Sequence, residues 1–252
     1  MTIEVLAPRD VQTTLNYYTP TEDQPPYNYV DEPPAVVPRS NVGRDTRPVI
    51  IRDARGKEDA LGLNISGFQF VKYPSVEKDP VEERIKKILK KHAGAKRVHI
   101  FDHTIRRSPV YFDSPLTSQQ RVHVDQSFTA AAQRVQYHLG DEAEQLLKGR
   151  YRVINVRRPV GNPVSHNPLA VADYRSINPE TDLVSIRRIY SHREGATFSV
   201  KHDPRHRLIK CFDSDIDKAR PTPQSAFKDS ASPLDAPQRR SIEVRALVFD
   251  TQ

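Results

Sequence analysis

The chain has 252 residues, of which 37% are hydrophobic and 28% charged, the balance of a polar globular protein. No stretch approaches the roughly 20 consecutive apolar residues that cross a bilayer. The first residues lack a basic region followed by an apolar run, so no secretory signal is expected. Cys211 is the only cysteine, which excludes an internal disulfide and a thiolate zinc cluster. We therefore expect a cytoplasmic protein with no membrane partner.

The net charge of +7 raises the question of nucleic-acid binding. The basic residues are interspersed with acidic ones, and the densest basic stretch, residues 84–92, has its apolar positions at helical spacing. The chain shows no recognition-helix, zinc-finger or aromatic stacking motif. We therefore expect a small-molecule partner and no nucleic acid, while the oligomeric state is left open.

The predicted elements begin after a segment rich in proline, asparagine, aspartate and tyrosine. Residues 1–48 are interpreted as an extended arm with little regular structure, and residues 49–252 as the main domain. In chain order, the patterns then predict two strands, a helix, two strands, a helix broken at Gly140, and five further strands. These lie at 49–53, 68–73, 80–93, 97–101, 122–125, 129–147, 151–156, 183–190, 197–201, 208–212 and 241–249. Many short strands with few helices favour a mainly β barrel or double-sheet roll with flanking helices.

The sharpest local motif is His123-Val124-Asp125. Residues two apart on a strand point to the same face of a sheet. An imidazole and a carboxylate on one face are two thirds of the 2-His-1-carboxylate triad that holds Fe(II). The spacing alone is equally typical of a hydrogen-bonded surface pair, which we favour until the surrounding residues are considered.

The surrounding residues carry a family resemblance over most of the chain from about residue 45 onward. The matching stretches are Val122–Ser127, Gly149-Arg150, Ile154–Val156, Arg158-Pro159, Asn167–Ala170, and the outer segments 91–107 and 235–249. In these residues the chain resembles the fungal hydroxylase/desaturase family of non-haem iron, 2-oxoglutarate-dependent oxygenases, which is related to the CmcJ-type oxygenases. The resemblance implies a double-stranded β-helix core, the jelly-roll or cupin-like fold.

The same resemblance implies the cofactors Fe(II) and 2-oxoglutarate and assigns residues to them. His123 and Asp125 match two iron ligands. Arg239 or Arg245 is the candidate that holds the 2-oxoglutarate carboxylate, since a guanidinium matches a carboxylate with two parallel hydrogen bonds. Asn155 and Arg158 are assigned to the pocket wall, although a loop cap and a surface charge explain them equally well.

The chain departs from the family pattern at three places. Gln224, in Thr222–Phe227, stands where the family has its second histidine ligand, and an amide oxygen is a weaker ligand than imidazole. About a dozen residues, enough for a strand and its turn, are absent between His206 and Lys210, which puts one strand of the core in question. Arg157 stands where the family usually has tryptophan. His202 or His206 could replace the lost ligand, although a solvated loop is the more ordinary interpretation.

Two functions follow from this pattern. The first is an oxygenase that hydroxylates or desaturates a small secondary-metabolite intermediate, with Fe(II), 2-oxoglutarate and oxygen. The second is a catalytically impaired relative that binds a small molecule without turnover, and Gln224 with the shortened segment motivates it. A functional claim depends on the site itself, because related folds carry different activities.

Overall fold

The computed structural model describes residues 7–73, 82–107, 121–211, 215–218 and 222–251. Within these ranges strands dominate, as the sequence predicts. The strands are β1 (Val11–Tyr17), β2 (Tyr27–Tyr29), β3 (Asp45–Asp53), β4 (Phe68–Val71), β5 (Arg97–Arg107), β6 (His123–Val124), β7 (Tyr151–Pro159), β8 (Leu169–Ala172), β9 (Leu183–Ile189), β10 (Glu194–Val200), β11 (Leu208–Cys211), β12 (Asp215–Lys218), β13 (Gln224–Ala226) and β14 (Arg240–Phe249). The α-helices are α1 (Glu82–Ala93), α2 (Phe128–Leu139), α3 (Ala143–Leu147) and α4 (Pro179–Asp182).

The main sheet has nine strands in the order β1-β3-β11-β8-β13-β6-β10-β9-β2. Most neighbours are antiparallel, whereas β11 runs parallel to β3 and β2 runs parallel to β9. The sheet is curled, and the fold is the jelly-roll type expected from the resemblance. Its inner face carries a buried apolar core that includes Leu15, Val124, Ala170, Val200 and Phe227.

A second sheet of three strands, β5-β14-β7, packs against the first. Alternation along the central strand β14 sends Ile242, Val244 and Ala246 into an apolar cluster with α1. The intervening residues Ser241, Glu243 and Arg245 point to the opposite face, toward the main sheet. One side of this sheet is therefore apolar and packs on a helix, while part of the other side is polar and buried.

The helices agree with the sequence patterns. In α1, the residues Ile85, Ile88 and Leu89 are buried and the lysines face solvent, as the apolar spacing predicts. The predicted break at Gly140 is confirmed, because a 3₁₀ turn at Gly140–Glu142 separates α2 from α3. No helix in the described part of the chain is long and apolar enough to cross a membrane.

The prediction of little regular structure in residues 1–48 is wrong for two segments. Strand β1 pairs with β3 at one edge of the main sheet, and β2 pairs with β9 at the other edge. Leu15 and Tyr17 of β1 are fully buried. The predicted boundary between residues 48 and 49 falls within β3.

The shortened segment after His206 still supplies a strand. Residues 208–211 form β11, which lies between β3 and β8 inside the main sheet. Phe212, the last residue of the predicted strand, lies outside the described residues. The sequence pattern missed β8 and β13, which are three or four residues long and next to prolines.

Candidate active site

His123 and Asp125 lie together at the end of the short strand β6. The Nε2 atom of His123 is 3.3 Å from Oδ1 of Asp125. The Nδ1 atom is 2.8 Å from the backbone carbonyl oxygen of Arg121, which can only accept a hydrogen bond, so Nδ1 carries the hydrogen. The lone pair of a neutral imidazole would then be on Nε2, facing the Asp125 carboxylate, and a cation between these two groups would be held by both.

The chain leaves β6 in a way that holds this pair in place. The backbone N–H of Ser127 donates to the carbonyl of Ala196 on β10. The Ser127 hydroxyl accepts from the N–H of Ala130 at 3.1 Å and so caps α2. Asp125 is therefore confined to a short connection between a paired strand and a capped helix.

Gln224 lies directly opposite His123 across the β13–β6 ladder. Directly opposed residues in an antiparallel pair point to the same face, with Cβ atoms about 5 Å apart. The Gln224 side chain is 2% exposed, and its Oε1 atom has no hydrogen-bond partner in the described structure. The described residues contain no cluster of three histidine, cysteine, aspartate or glutamate side chains that could hold a metal. The third oxygen or nitrogen donor available beside His123 and Asp125 is therefore an amide.

The polar face of the three-stranded sheet meets this pair. The Asn155 amide nitrogen on β7 donates to Asp125 Oδ2 at 2.6 Å and to Glu243 Oε1 on β14 at 3.1 Å. Asn155 is 4% exposed. One buried amide thus orients the Asp125 carboxylate and links the two sheets.

Glu243 is the centre of a buried network of charges. Its carboxylate contacts Arg106 at 3.0 Å, Arg245 at 3.4 Å, and Arg157 in a short ion pair. Burial by itself would raise the pKa of Glu243, but the charges of Arg157 and Arg245 outweigh burial and lower that pKa to about 2. Glu243 therefore remains ionised and neutralises part of the positive charge around Asp125.

Arg239 is buried beside this network and forms no ion pair with an acidic side chain in the described part of the chain. Its NH1 group donates to the carbonyl oxygen of Asn167 at 2.8 Å, and its Nε to the hydroxyl of Ser241 at 3.3 Å. Burial, followed by the positive charges of Arg157 and Arg106, lowers the pKa of Arg239 to about 10. Burial and the neighbouring arginines outweigh the opposing charge of Glu243 here, so a bound anion would be stabilised beside Arg239.

The other predicted arginines have different surroundings. Arg245 forms a short ion pair with Asp102 and lies 3.9 Å from Asp125 Oδ2, so its charge is already compensated. Strand alternation puts Arg158 on the same face of β7 as Ile154 and Val156, which pack on the α1 side. The structure brings Asn155 to Asp125 but leaves Arg158 on the opposite face.

His202 and His206 are engaged elsewhere. Nε2 of His206 lies 2.9 Å from the buried Asp182 carboxylate. The His202 ring packs edge-on against Tyr17, with 4.9 Å between the ring centroids. Neither histidine joins His123 and Asp125 in a cluster of possible ligands within the described residues. The hypothesis that one of them replaces the lost ligand has no support in these contacts.

A cavity of about 410 Å³ opens over this site. Its polar lining includes Asp125, Asn155 and Gln224, and also Arg150 and Arg152. Its apolar wall includes Val124, Phe128, Ala131, Tyr151 and Val153. This volume and mixture of surfaces suit a small organic molecule.

The sequence does not predict a role in the site for three residues. Arg157 stands out only as a departure from the family pattern, and the sequence assigns no role to Glu243 or Arg106. The available signal was the alternation on β14, where Glu243 and Arg245 interrupt a run of apolar residues. Charged residues at alternate positions of a strand predict that this face meets solvent. In the structure, the face of β14 that carries Glu243 and Arg245 meets the main sheet instead.

Comparison with known proteins places this geometry in a family. Residues 15–249 match the model of the family described as "Oxidoreductase/YMDC permease-like domain". The chain is 29% identical to the hydroxylase/desaturase efuI of Hormonema carpetanum, over 99% of this chain and 98% of that protein. It is 31% identical to the hydroxylase/desaturase poxK of Penicillium oxalicum, over 87% and 84% of the two chains. Among solved structures, the iron and alpha-ketoglutarate-dependent endoperoxidase NvfI matches with a TM-score of 0.80 and 25% identity, over 96% and 99%.

Proposed function

The chain belongs to the fungal hydroxylase/desaturase family of Fe(II)/2-oxoglutarate-dependent oxygenases, and from this premise we propose that it oxidises a C–H bond of a small secondary-metabolite intermediate. We further propose that His123, Asp125 and Gln224 hold the iron and that Arg239 holds 2-oxoglutarate. The observation that carries the proposal is the set of possible ligand atoms on one sheet face: His123 Nε2 lies 3.3 Å from Asp125 Oδ1, and opposite them is the buried Oε1 of Gln224, which has no hydrogen-bond partner in the described structure.

These three donors fit Fe(II) chemically. Ligating histidines commonly donate their other ring N–H to a backbone carbonyl, which is the arrangement of His123 with Arg121. Asn155 gives Asp125 the hydrogen bond that orients a ligating carboxylate. A buried amide oxygen without a partner costs about 1–3 kcal/mol, and a bound cation would remove that cost. Gln224 is the weakest of the three donors because it is uncharged.

Arg239 is the better of the two candidates for the co-substrate. Its guanidinium retains N–H groups without a protein partner among the described residues, since its contacts are limited to Asn167 and Ser241. Arg245 is surrounded by the carboxylates of Asp102, Glu243 and Asp125. A dicarboxylate would therefore gain more from Arg239 than from Arg245.

When bound, iron and 2-oxoglutarate supply the oxidising power that breaks an unactivated C–H bond. The chain's own residues do the rest. Asn155 fixes the orientation of Asp125, Arg121 fixes the tautomer of His123, and the Glu243 network keeps the surrounding arginines in place. The apolar wall of the cavity holds the substrate and excludes water around the reacting carbon.

The test is an anaerobic titration of Fe(II) into metal-free protein with 2-oxoglutarate present, following the weak visible band of the ternary complex. We expect a saturable band at one equivalent for the wild type. Gln224→His should tighten iron binding about tenfold or more, corresponding to ~1.4 kcal/mol per tenfold, because imidazole is the stronger ligand. Gln224→Leu, matched in size, should abolish the band.

The second function, ligand binding without turnover, is favoured by the weakness of the Gln224 amide as a ligand. It predicts that a cognate small molecule raises the melting temperature while oxygen consumption and succinate formation stay at background. If the wild type shows no band and Gln224→His restores it, the binding function is supported. If neither protein shows a band, the three-residue iron site is wrong.

A further inference from the structure

A second, smaller cavity of about 210 Å³ adjoins the larger one and shares Asp125 and Gln126 with it. It lies between one face of α2 and the β9–β10 hairpin. The helix contributes Gln133, Arg134 and Tyr137, which recur at helical spacing. The hairpin contributes Arg188, Tyr190 and Arg193.

The three arginines of this cavity have no carboxylate partner within the described residues. The Arg134 guanidinium lies over the Phe101 ring at 5.1 Å, and that of Arg193 lies over the Tyr190 ring at 4.1 Å. These ring contacts orient the guanidiniums without neutralising them. Burial, followed by the charge of Arg193, lowers the pKa of Arg134, and the opposing charge of Asp102 does not offset this.

The two acidic residues in the wall are used by other groups. Glu194 pairs with Arg187 at 2.8 Å, outside this set of three arginines. Asp125 accepts from Asn155 and faces His123. The cavity therefore combines three guanidiniums that form no ion pair with a described carboxylate, two tyrosine rings, and a wall at Asp125 and Gln126 that it shares with the larger cavity.

We propose that this cavity binds the carboxylate of the substrate, which would be an amphipathic carboxylic acid. A guanidinium recognises a carboxylate through two parallel, charge-assisted hydrogen bonds, and three guanidinium side chains line this cavity. The apolar body of the same molecule would extend past Gln126 into the larger cavity, along Phe128 and Val153. The assignment of this carboxylate to the substrate rests on the proposed function, in which Arg239 is already used by 2-oxoglutarate.

The test uses 1-naphthoate and its uncharged analogue 1-naphthamide, titrated into metal-free protein without 2-oxoglutarate and followed by ligand fluorescence. The wild type should bind the naphthoate about tenfold or more tightly than the amide, as charge-assisted hydrogen bonds require. The double variant Arg134→Gln/Arg188→Gln should bind both ligands equally. The control Arg39→Gln/Arg205→Gln removes the same charge from exposed ion pairs and should keep the preference.

A second experiment tests whether the smaller cavity binds the carboxylate of the substrate or that of 2-oxoglutarate. Anaerobic titration with Fe(II) and 2-oxoglutarate should give the same ternary band in Arg134→Gln/Arg188→Gln as in the wild type, whereas Arg239→Gln should lose it. Loss of the band in the double variant but not in Arg239→Gln would overturn the proposal, because the cavity would then hold the co-substrate. Equal binding of naphthoate and naphthamide by the wild type would also overturn it. If the wild type prefers naphthoate but shows no iron band, the carboxylate site is supported and the proposed function is contradicted.

Discussion

Glu243 shows how one buried residue can decide the behaviour of a site that it does not itself form. It is 2% exposed and neutralises part of the charge of Arg106, Arg157 and Arg245. Removing one partner of a buried ion pair leaves the others uncompensated, which costs about 3–5 kcal/mol. We expect Glu243→Gln to lower the free energy of unfolding by this amount in a urea titration. The control is Glu144→Gln, which removes a charge from the exposed pair with Lys148 and should leave the free energy of unfolding unchanged.

The same residue makes the fold sensitive to acid. The pKa of Glu243 is about 2 in the folded protein and 4.5 ordinarily, so its ionisation stabilises the folded state above pH 4.5. That stabilisation, roughly 3 kcal/mol, is lost as the pH falls from 4.5 toward 2. The stability difference between wild type and Glu243→Gln should therefore shrink between pH 6 and pH 3. A constant difference across that range would contradict the assignment.

The residues of the candidate site differ in how well they can be predicted from the sequence. His123 and Asp125 follow from their spacing and the surrounding family motif. Glu243 and Arg157 do not, because a charged residue on an alternating strand has the same pattern whether its face meets water or another sheet. The packing of the two sheets decides between these cases, and no local pattern encodes that packing.

At the scale of elements, β13 is positioned by a close approach between two loops. The Thr222 hydroxyl donates to the carbonyl of Gly67 at 3.1 Å, and a Cβ added at Gly67 would overlap the Thr222 Oγ1 atom. Gly67 also has a φ of +87°. These two features hold Thr222, and with it Gln224 two residues later, in register with His123.

We expect Gly67→Ala to destabilise the protein by about 3 kcal/mol or more, through positive-φ strain and the clash with Thr222. Iron retention should fall as β13 shifts. Gly56→Ala is the matched control, because Gly56 has a φ of +77° and an added Cβ would meet no atom within 4 Å, so only the strain of about 1–2 kcal/mol is expected. Thermal unfolding and metal analysis of both variants measure the two effects. Equal losses in both would refute the role given to the close approach.

The elements that the sequence predicts correctly are those whose apolar residues recur with a clear helical or strand period. Helix α1 has its apolar residues at helical spacing, and α2 ends at Gly140 as the glycine predicts. Strands β1, β2 and β13 lie in proline-rich surroundings, which favour irregular structure in any local analysis. Their pairing is supplied by strands distant in sequence, so tertiary contacts override the local preference.

At the scale of the whole molecule, the N-terminal segment is part of the core. Leu15 is fully buried among residues of the main sheet, whereas its neighbour Thr14 is exposed. Leu15→Ala should therefore cost about 2–5 kcal/mol of unfolding free energy, and Thr14→Ala should cost little. Urea denaturation of both variants checks this. A negligible effect of Leu15→Ala would restore the interpretation of residues 1–48 as a detachable arm.

The two edges of the nine-stranded sheet come from one short stretch of chain. Strand β1 ends at Tyr17 on one edge, and β2 begins at Tyr27 on the other. Ten residue steps reach at most about 35 Å, while nine strands laid flat would be about 38 Å wide. The chain is too short to join the edges of a fully flat sheet, so its covalent length excludes full flattening. Any opening that admits a substrate must consequently come from the surrounding helices and loops, because the sheet cannot unroll while both edge strands stay paired.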